Sequence, residues 1–293
     1  MTPLHLLIAL LVPLTWGFGF VLAKAGLAHF PPLLLMGLRF LIAALILVWF
    51  VKLPRGHWRM LTLIAMTSAT MQYGLTFSGL ARMDATPTIL LIQSEVVFGS
   101  VIAALMLREW PTRRQILGMA VSLGGIATIV GAPSLKGQMV GVSLVLSGCL
   151  FWAFGQVLVR RLGDVLTGFQ LTAWIGMIAA PQMLLASVLI EGNPLPVLAS
   201  AALSDWMAVA YLGVIMTVVG YSAWYFILAR YPVPMAMPLL LLLPVSTILG
   251  AVSFLGERPG YHVILGGIVV IGGVAAVIVE PDQLRRLITR RPR

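Results

Sequence analysis

Two stretches of the chain, "REWPTRRQILGMAVSLGG" at residues 108–125 and "GERPGYHVILGGIVVIGG" at residues 256–273, share one skeleton. Set 148 positions apart, Glu109 meets Glu257, Pro111 meets Pro259, Ile116-Leu117-Gly118 meets Ile264-Leu265-Gly266, and Gly124-Gly125 meets Gly272-Gly273. The same offset continues upstream, where Tyr73 meets Tyr221, Phe77 meets Tyr225, and Leu80-Ala81-Arg82 meets Leu228-Ala229-Arg230. Nearer the start of each half, "WGFGFVLAK" from residue 16 meets "WAFGQVLVR" from residue 152 at an offset of 136. The difference between the two offsets requires an insertion of about a dozen residues, which the loop "EGNPLPVLASAALSD" at 191–205 accommodates. A register held this long marks an internal duplication.

The composition around these motifs names the solvent. Of the 293 residues, 60% are hydrophobic and 10% charged, and the mean hydropathy is +1.03. A globular chain carries about 25% charged residues. The useful unit is therefore an apolar segment of roughly 20 residues that crosses a ~30 Å hydrocarbon core as a helix. Ten such segments are expected, at 5–27, 32–51, 59–80, 86–107, 113–131, 138–160, 166–190, 205–228, 234–255 and 261–279. They are numbered one to ten below. Barrel strands of about ten alternating residues do not match segments this long and continuously apolar. The first segment lacks a basic n-region and a cleavage site and takes part in the repeat, so it is read as a spanning helix and not as a signal peptide.

Five segments per half is an odd number. Segment six then enters in the same sequence context as segment one but from the opposite side of the membrane, so the halves are expected to be inverted repeats. The expected fold is an all-α integral membrane protein of ten transmembrane helices in two inverted five-helix repeats, at 1–134 and 135–281, followed by a basic tail at 282–293. With the N-terminus inside, fourteen Lys and Arg residues fall in the inner loops and tail, against Lys24, Arg82, Lys136 and Arg258 outside. Both termini are therefore expected in the cytoplasm. The net charge of +10 is mostly this orientation signal. The tail "RRLITRRPR" can touch anionic lipid, and no nucleic-acid partner is expected.

Cys149 is the only cysteine, which leaves no intramolecular disulfide. His5, His29, His57 and His262 have no ligand spacing to one another, so neither a metal nor another cofactor is expected. An integral-membrane enzyme would need a cluster of acid, base or nucleophilic side chains at a membrane face. With nine acidic residues, mostly in loops, the chain offers no such cluster, and no enzymatic activity is expected. A channel would need an obvious filter or pore-lining rings, and neither is legible.

The two five-segment halves, the opening "WGFGFVLAK…LRF", the closing "GERPGYHVILGGIVVIGG" and its partial copy "REWPTRRQILGMAVSLGG" resemble the drug/metabolite transporter superfamily, EamA type. The resemblance spans essentially the whole chain and is closest to bacterial exporters of amino acids and related metabolites, the YddG type among them. It implies a proton-linked or facilitative carrier of the bacterial inner membrane, with a central cavity lined mainly by segments one, three, four, six, eight and nine. The implied cargo is a small molecule, an aromatic or other neutral amino acid or a related metabolite, moved by alternating access by a protein read as a monomer. Other cargoes of such carriers are nucleotide sugars, sugar phosphates and cationic drugs. A phosphate cargo favours several intramembrane Lys or Arg residues, and Arg39 is nearly alone. The first half departs from the motif, with Arg108 and Trp110 where the second has Gly256 and Arg258. The plain reading of Glu109 and Glu257 is a helix-end cap or a loop ion pair.

The candidate substrate contacts are polar and aromatic residues inside segments: Trp16, Tyr73, Gln93, Glu95, Trp152, Gln156, Tyr221, Trp224 and Tyr225. Tyr221, Trp224 and Tyr225 share one helical face, and Tyr73 with Phe77 makes the related face of segment three. Such faces suit an amphipathic or aromatic cargo through stacking and cation–π contacts, and they also suit helix packing. Gln93 and Gln156 can each donate and accept, as an amino-acid backbone requires, or bond between helices. Gly99, Pro238 and Pro244 are candidate gating points, because proline removes a backbone donor and kinks a helix. The glycines of segments five and ten are read as close packing.

Glu95 is the outlier, a carboxylate within "LLIQSEVVFGSVIAAL" at 90–105. It lies roughly 14 Å from the outer end of segment four, and Arg39 roughly 11 Å from the outer end of segment two, at 1.5 Å per residue. Two readings stay open. The depths permit an Arg39–Glu95 ion pair in which each side chain neutralises the other. Alternatively, Glu95 faces an aqueous cavity and binds a substrate ammonium or a coupling proton.

Overall fold

Thr112 and Gln115, and again Thr167 and Gln170, form capping boxes that start segments five and seven at Arg113 and Gly168. In each, the threonine hydroxyl accepts from the backbone of the glutamine while the glutamine side chain takes the threonine N–H, which satisfies two otherwise orphaned donors. Segment one starts on Thr2 with Pro3 in its first turn. The computed structural model describes residues 2–54, 56–228, 230–231 and 237–278, and among these there is no strand. The tail at 282–293 and the side chains of Tyr225 and Pro238 lie outside the described residues.

Each apolar segment is helical where it is described. Segments one, two, five, six, seven and ten form Pro3–Gly26, Pro32–Leu47, Arg113–Val130, Met139–Leu162, Gly168–Ile190 and Tyr261–Ile278. A 3₁₀ turn, Val48–Phe50, extends segment two, and a short helix, Leu195–Ser200, sits in the loop where the repeat needs its insertion. Among the described residues six helices are long and apolar enough to cross a bilayer: Pro3–Gly26, Pro32–Phe50, Ala85–Leu107, Met139–Leu162, Gly168–Ile190 and Leu203–Trp224. Shorter apolar helices, Leu239–Phe254 and Tyr261–Val277, accompany them. Large apolar side chains such as Leu45, Leu105, Leu189, Leu249 and Ile268 are exposed around the bundle. An exterior this apolar belongs against lipid, so the chain is a multi-pass membrane protein.

Four segments depart from regular α-helix. Segment three contains a π-helical stretch, Met66–Met71, between Trp58–Ala65 and Gln72–Ala81. Segment eight contains another, Tyr211–Val219, between Leu203–Ala210 and Gly220–Leu228. Segment four is broken at Gln93 into Ala85–Ile92 and Ser94–Leu107, with Gln93 N–H bonded three residues back to Leu90 and Val96 N–H three back to Gln93. Segment nine passes from a 3₁₀ stretch, Met237–Leu241, into Leu242–Phe254, with Pro238 in the first part and Pro244 in the second. Residue 71 and residue 219 close the π stretches, and residues 94 and 242 open the second helices, so both pairs stand 148 apart. The helix at Ala85 was expected to run unbroken. Gln93 turns it instead, so the residues on its two sides do not share one continuous helical face.

Segment five packs along segment ten, segment two along segment seven, segment three along segment six, and segment one along segment nine. Glycine permits the first of these contacts. A methyl group on Gly118 would lie 2.8 Å from the Gly273 carbonyl oxygen, and one on Gly266 would lie 2.8 Å from that of Gly125. Between them the Ser122 hydroxyl donates to the Val270 carbonyl at 3.4 Å, a contact between positions 148 apart. Arg108 takes φ 59 at the end of segment four, where its repeat mate Gly256 takes φ 67, so the left-handed turn survives the replacement of glycine.

A packing role makes a graded prediction. Gly125→Ala places its methyl 2.7 Å from the Gly266 oxygen and 2.8 Å from the Val270 nitrogen, both backbone atoms, whereas Gly124→Ala meets nothing within 4 Å. Thermal unfolding in detergent should show Gly125→Ala less stable by about 1–3 kcal/mol and Gly124→Ala within about 0.5 kcal/mol of the parent.

Candidate functional site

Arg39 is held deep in segment two with 0% of its surface exposed. Its Nε donates to the Thr217 hydroxyl at 2.9 Å, on the π stretch of segment eight, and Nη1 reaches the Met36 sulfur at 3.8 Å. The guanidinium carbon lies 4.6 Å from the centre of the Tyr73 ring and 5.1 Å from that of Phe40. Arg39 Nη2 is buried with no partner. Neither of the ion pairs among the described residues involves Arg39 or Glu95, so the mutual neutralisation that their depths permitted does not occur in this conformation.

The aromatic residues gather beside this cation. The Tyr73 and Tyr221 hydroxyls are 3.3 Å apart, and the two residues occupy the same position in the two halves. The Trp16 ring lies 4.8 Å from Tyr221 and 6.3 Å from Trp224, and its Nε1 donates to the Met216 carbonyl at 3.1 Å. On the other side Tyr73 stacks on Phe77, which stacks on Phe20. Segments one, three and eight therefore build one continuous aromatic wall that starts at the buried guanidinium. The π stretch explains part of it: the extra residue per turn leaves backbone groups to be satisfied from outside the regular ladder, and the Thr217 hydroxyl donates to Leu212 five residues back while accepting from Arg39.

The other candidates lie around the break in segment four. Glu95 is partly buried, and its Oε1 is shut off from solvent without a partner. Ser94, beside it, also has a buried, unpartnered hydroxyl. Cys149 on segment six points its thiol at the carbonyls of Leu91 and Ile92, at 4.0 and 3.9 Å, where the helix turns. Trp152 is partly buried and Gln156 is exposed, one and two turns along the same helix. A methyl on Gly99 would meet nothing within 4 Å, so this glycine is not there for close packing. The structure thus brings Trp16, Tyr73, Tyr221 and Trp224 together with Arg39, and it sets Gln93 and Glu95 at the helix break.

Sequence reasoning missed Thr217 and the Lys24 end of the bundle. Lys24 Nζ donates to the carbonyls of Leu80 and Met83, at 2.9 and 2.7 Å, closing the end of segment three. Glu257 accepts the N–H groups of Ala85 and Thr86, at 2.5 and 3.0 Å, and so caps segment four, whose N-cap residue Asp84 makes no side-chain cap of its own. Glu191 does the same for segment two, accepting from Leu33 and Leu34 at 2.8 and 3.0 Å. Burial holds the Asp84 carboxyl above its usual range, Glu257 raises it further, and Lys24 opposes both. At the far end Glu109 pairs with Arg160 at 2.7 Å, both well exposed. The two readings of the paired glutamates, cap and ion pair, are each realised once.

The model of the EamA-like transporter family matches residues 4–131 and again residues 139–279. A protein of Salmonella typhimurium described as a "Probable amino-acid metabolite efflux pump" is 31% identical, over 91% of this chain and 92% of that one. Its namesake in Escherichia coli K12 is 29% identical over the same shares. An "Uncharacterized inner membrane transporter" of Escherichia coli K12 is 27% identical over 83% of this chain and 80% of its own. One crystallised protein shares the fold, with a TM-score of 0.67 over 97% of this chain and 98% of that chain, at 20% identity.

Two predictions test the geometry. Tyr73→Phe and Tyr221→Phe should each cost about 1 kcal/mol, and the double variant less than their sum by roughly 0.5–1 kcal/mol, in thermal unfolding; strict additivity would mean that the hydroxyls do not interact. Asp84 binds its proton more tightly folded than unfolded, so its ionised form weakens the fold above the folded pKa. Asp84→Asn should therefore raise the melting temperature at neutral pH. That gain should disappear as the pH falls below the ordinary carboxylate range.

Proposed function

Because the chain belongs to the EamA-like transporter family, we propose that it is a secondary transporter that exports amino acids, aromatic or otherwise neutral, and related small metabolites across the bacterial inner membrane by alternating access. The observation that carries the cargo class is the uncompensated Arg39 guanidinium, wholly buried with Nη2 unpartnered. A desolvated cation costs several kcal/mol unless an anion reaches it. A free α-carboxylate arriving with the substrate supplies one, in the fork geometry that arginine favours. An amino acid also carries an ammonium, and Glu95 keeps one carboxylate oxygen without a partner. The aromatic wall of Trp16, Tyr73 and Tyr221 suits an apolar or aromatic side chain. The names of the two efflux-pump relatives favour the same cargo.

The mechanism follows from the duplication. Ten spanning helices in two inverted halves, at 1–134 and 135–281 with both termini in the cytoplasm, give a carrier that can present one central site to either side. In support, the family model matches each half separately, and the ends of the π stretches, the starts of the helices after the breaks and the Tyr73–Tyr221 and Ser122–Val270 contacts all obey the offset of 148. The broken segments four and nine and the open Gly99 are where the halves bend. Glu95 is the intramembrane acid available for proton coupling.

The test is uptake of radiolabelled amino acids into proteoliposomes, with and without a pH gradient, by the parent, Arg39→Gln and Glu95→Gln. The parent should show saturable uptake, inhibited by neutral amino acids and not by the amines that lack the carboxylate. Arg39→Gln should raise KM roughly tenfold or more, equivalent to about 1.4 kcal/mol of lost binding. Loss of the gradient response in Glu95→Gln alone would assign coupling to that carboxylate, and absence of any amino-acid uptake by the folded parent would sink the cargo class.

A further inference from the structure

The two ends of the bundle are built from the same parts in different states. Lys24 and Arg160 are repeat mates at the offset of 136, and Glu257 and Glu109 are repeat mates at 148. At the first end the parts are spread over neighbouring helices: Glu257 holds the backbone N–H groups of Ala85 and Thr86, and Lys24 holds the carbonyls of Leu80 and Met83. There the end of segment one, the turn between segments three and four, and the turn between segments nine and ten are tied together. At the second end the repeat mates hold each other instead, Glu109 to Arg160 at 2.7 Å, both well exposed.

We propose that Lys24 with Glu257, and Arg160 with Glu109, are the two latches of the carrier, each engaged only when its own end is shut. The present conformation is shut at the Lys24 end and released at the Arg160 end, and Gln156, one turn before Arg160, is accordingly exposed. When the carrier turns over, Glu257 leaves Ala85 and Thr86, and the Glu109–Arg160 pair is rearranged as the other end shuts. The proposal rests on the transporter reading above and adds the side chains that set which end is open.

With the orientation expected from the basic loops, the Arg160 end is the cytoplasmic side, where an exporter loads.

Single-cysteine labelling of the full-length protein with a membrane-impermeant maleimide tests this without any transported substrate. The background is Cys149→Ala, which removes the only native thiol. The reporters are Thr88→Cys, at a fully buried position of the half-helix that Glu257 caps, and Gln156→Cys at the exposed end. In Glu257→Ala, Thr88→Cys should label about tenfold faster and Gln156→Cys severalfold slower than in the parent. Glu257→Gln, which keeps one acceptor oxygen, should fall between. Glu109→Ala should leave both labelling rates near those of the parent while slowing turnover. Faster Thr88→Cys labelling with Gln156→Cys unchanged would reduce Glu257 to a local cap and overturn the proposal, as would no change at either reporter in a monodisperse protein. If Glu257→Ala fails to fold, Lys24→Met removes the companion clasp and carries the same expectation. Reciprocal labelling in a protein that transports no amino acid would leave the latches standing and the cargo wrong.

Discussion

Every backbone N–H and C=O inside a bilayer must find a partner within the protein, and the rest of this structure follows from where that requirement is hard to meet. Regular helix meets it everywhere except at ends, breaks and π stretches. At the ends of segments two and four the first N–H groups have no local cap, because Pro31 has no acceptor side chain and Asp84 does not turn inward. Glu191 and Glu257 supply the missing acceptors from other segments. A need that is local in a soluble helix here becomes a tie between distant parts of the chain.

Charge is scarce for the same reason. Arg39 has been placed against two aromatic faces and a threonine hydroxyl, which lowers the cost of the cation without cancelling its charge. No ion pair with Glu95 forms, and Arg39 Nη2 and Glu95 Oε1 each stay buried without a partner.

Much of this was legible in the sequence. The apolar periodicity and the duplicated Glu-x-Pro and Gly-Gly motifs point to helices, to a repeat and to a transporter, and the tyrosine pair stood out because Tyr73 and Tyr221 align. What stayed hidden depends on helix irregularity. Nothing in "LLIQSEVV" announces a break at Gln93, since no proline or glycine is there. The π stretches, Met-Thr-Ser-Ala-Thr-Met at 66–71 and an almost wholly apolar run at 211–219, likewise contain no proline, so Thr217 could not be placed beneath Arg39. The latches were half visible: Lys24 and Arg160 lie opposite each other in the aligned "WGFGFVLAK" and "WAFGQVLVR", but their bonds run to backbone atoms, which a sequence does not label.

The hydrogen bond between Tyr73 and Tyr221 joins a residue to its own copy. In the two inverted halves proposed here, such a contact marks the two-fold axis between them. Along that axis positions 122 and 270 are Ser and Val, while 73 and 221 are both tyrosine. For the alternating-access carrier proposed here, positions that differ between the halves favour one of two states related by a pseudo-two-fold, and positions that stay the same keep the other state within reach.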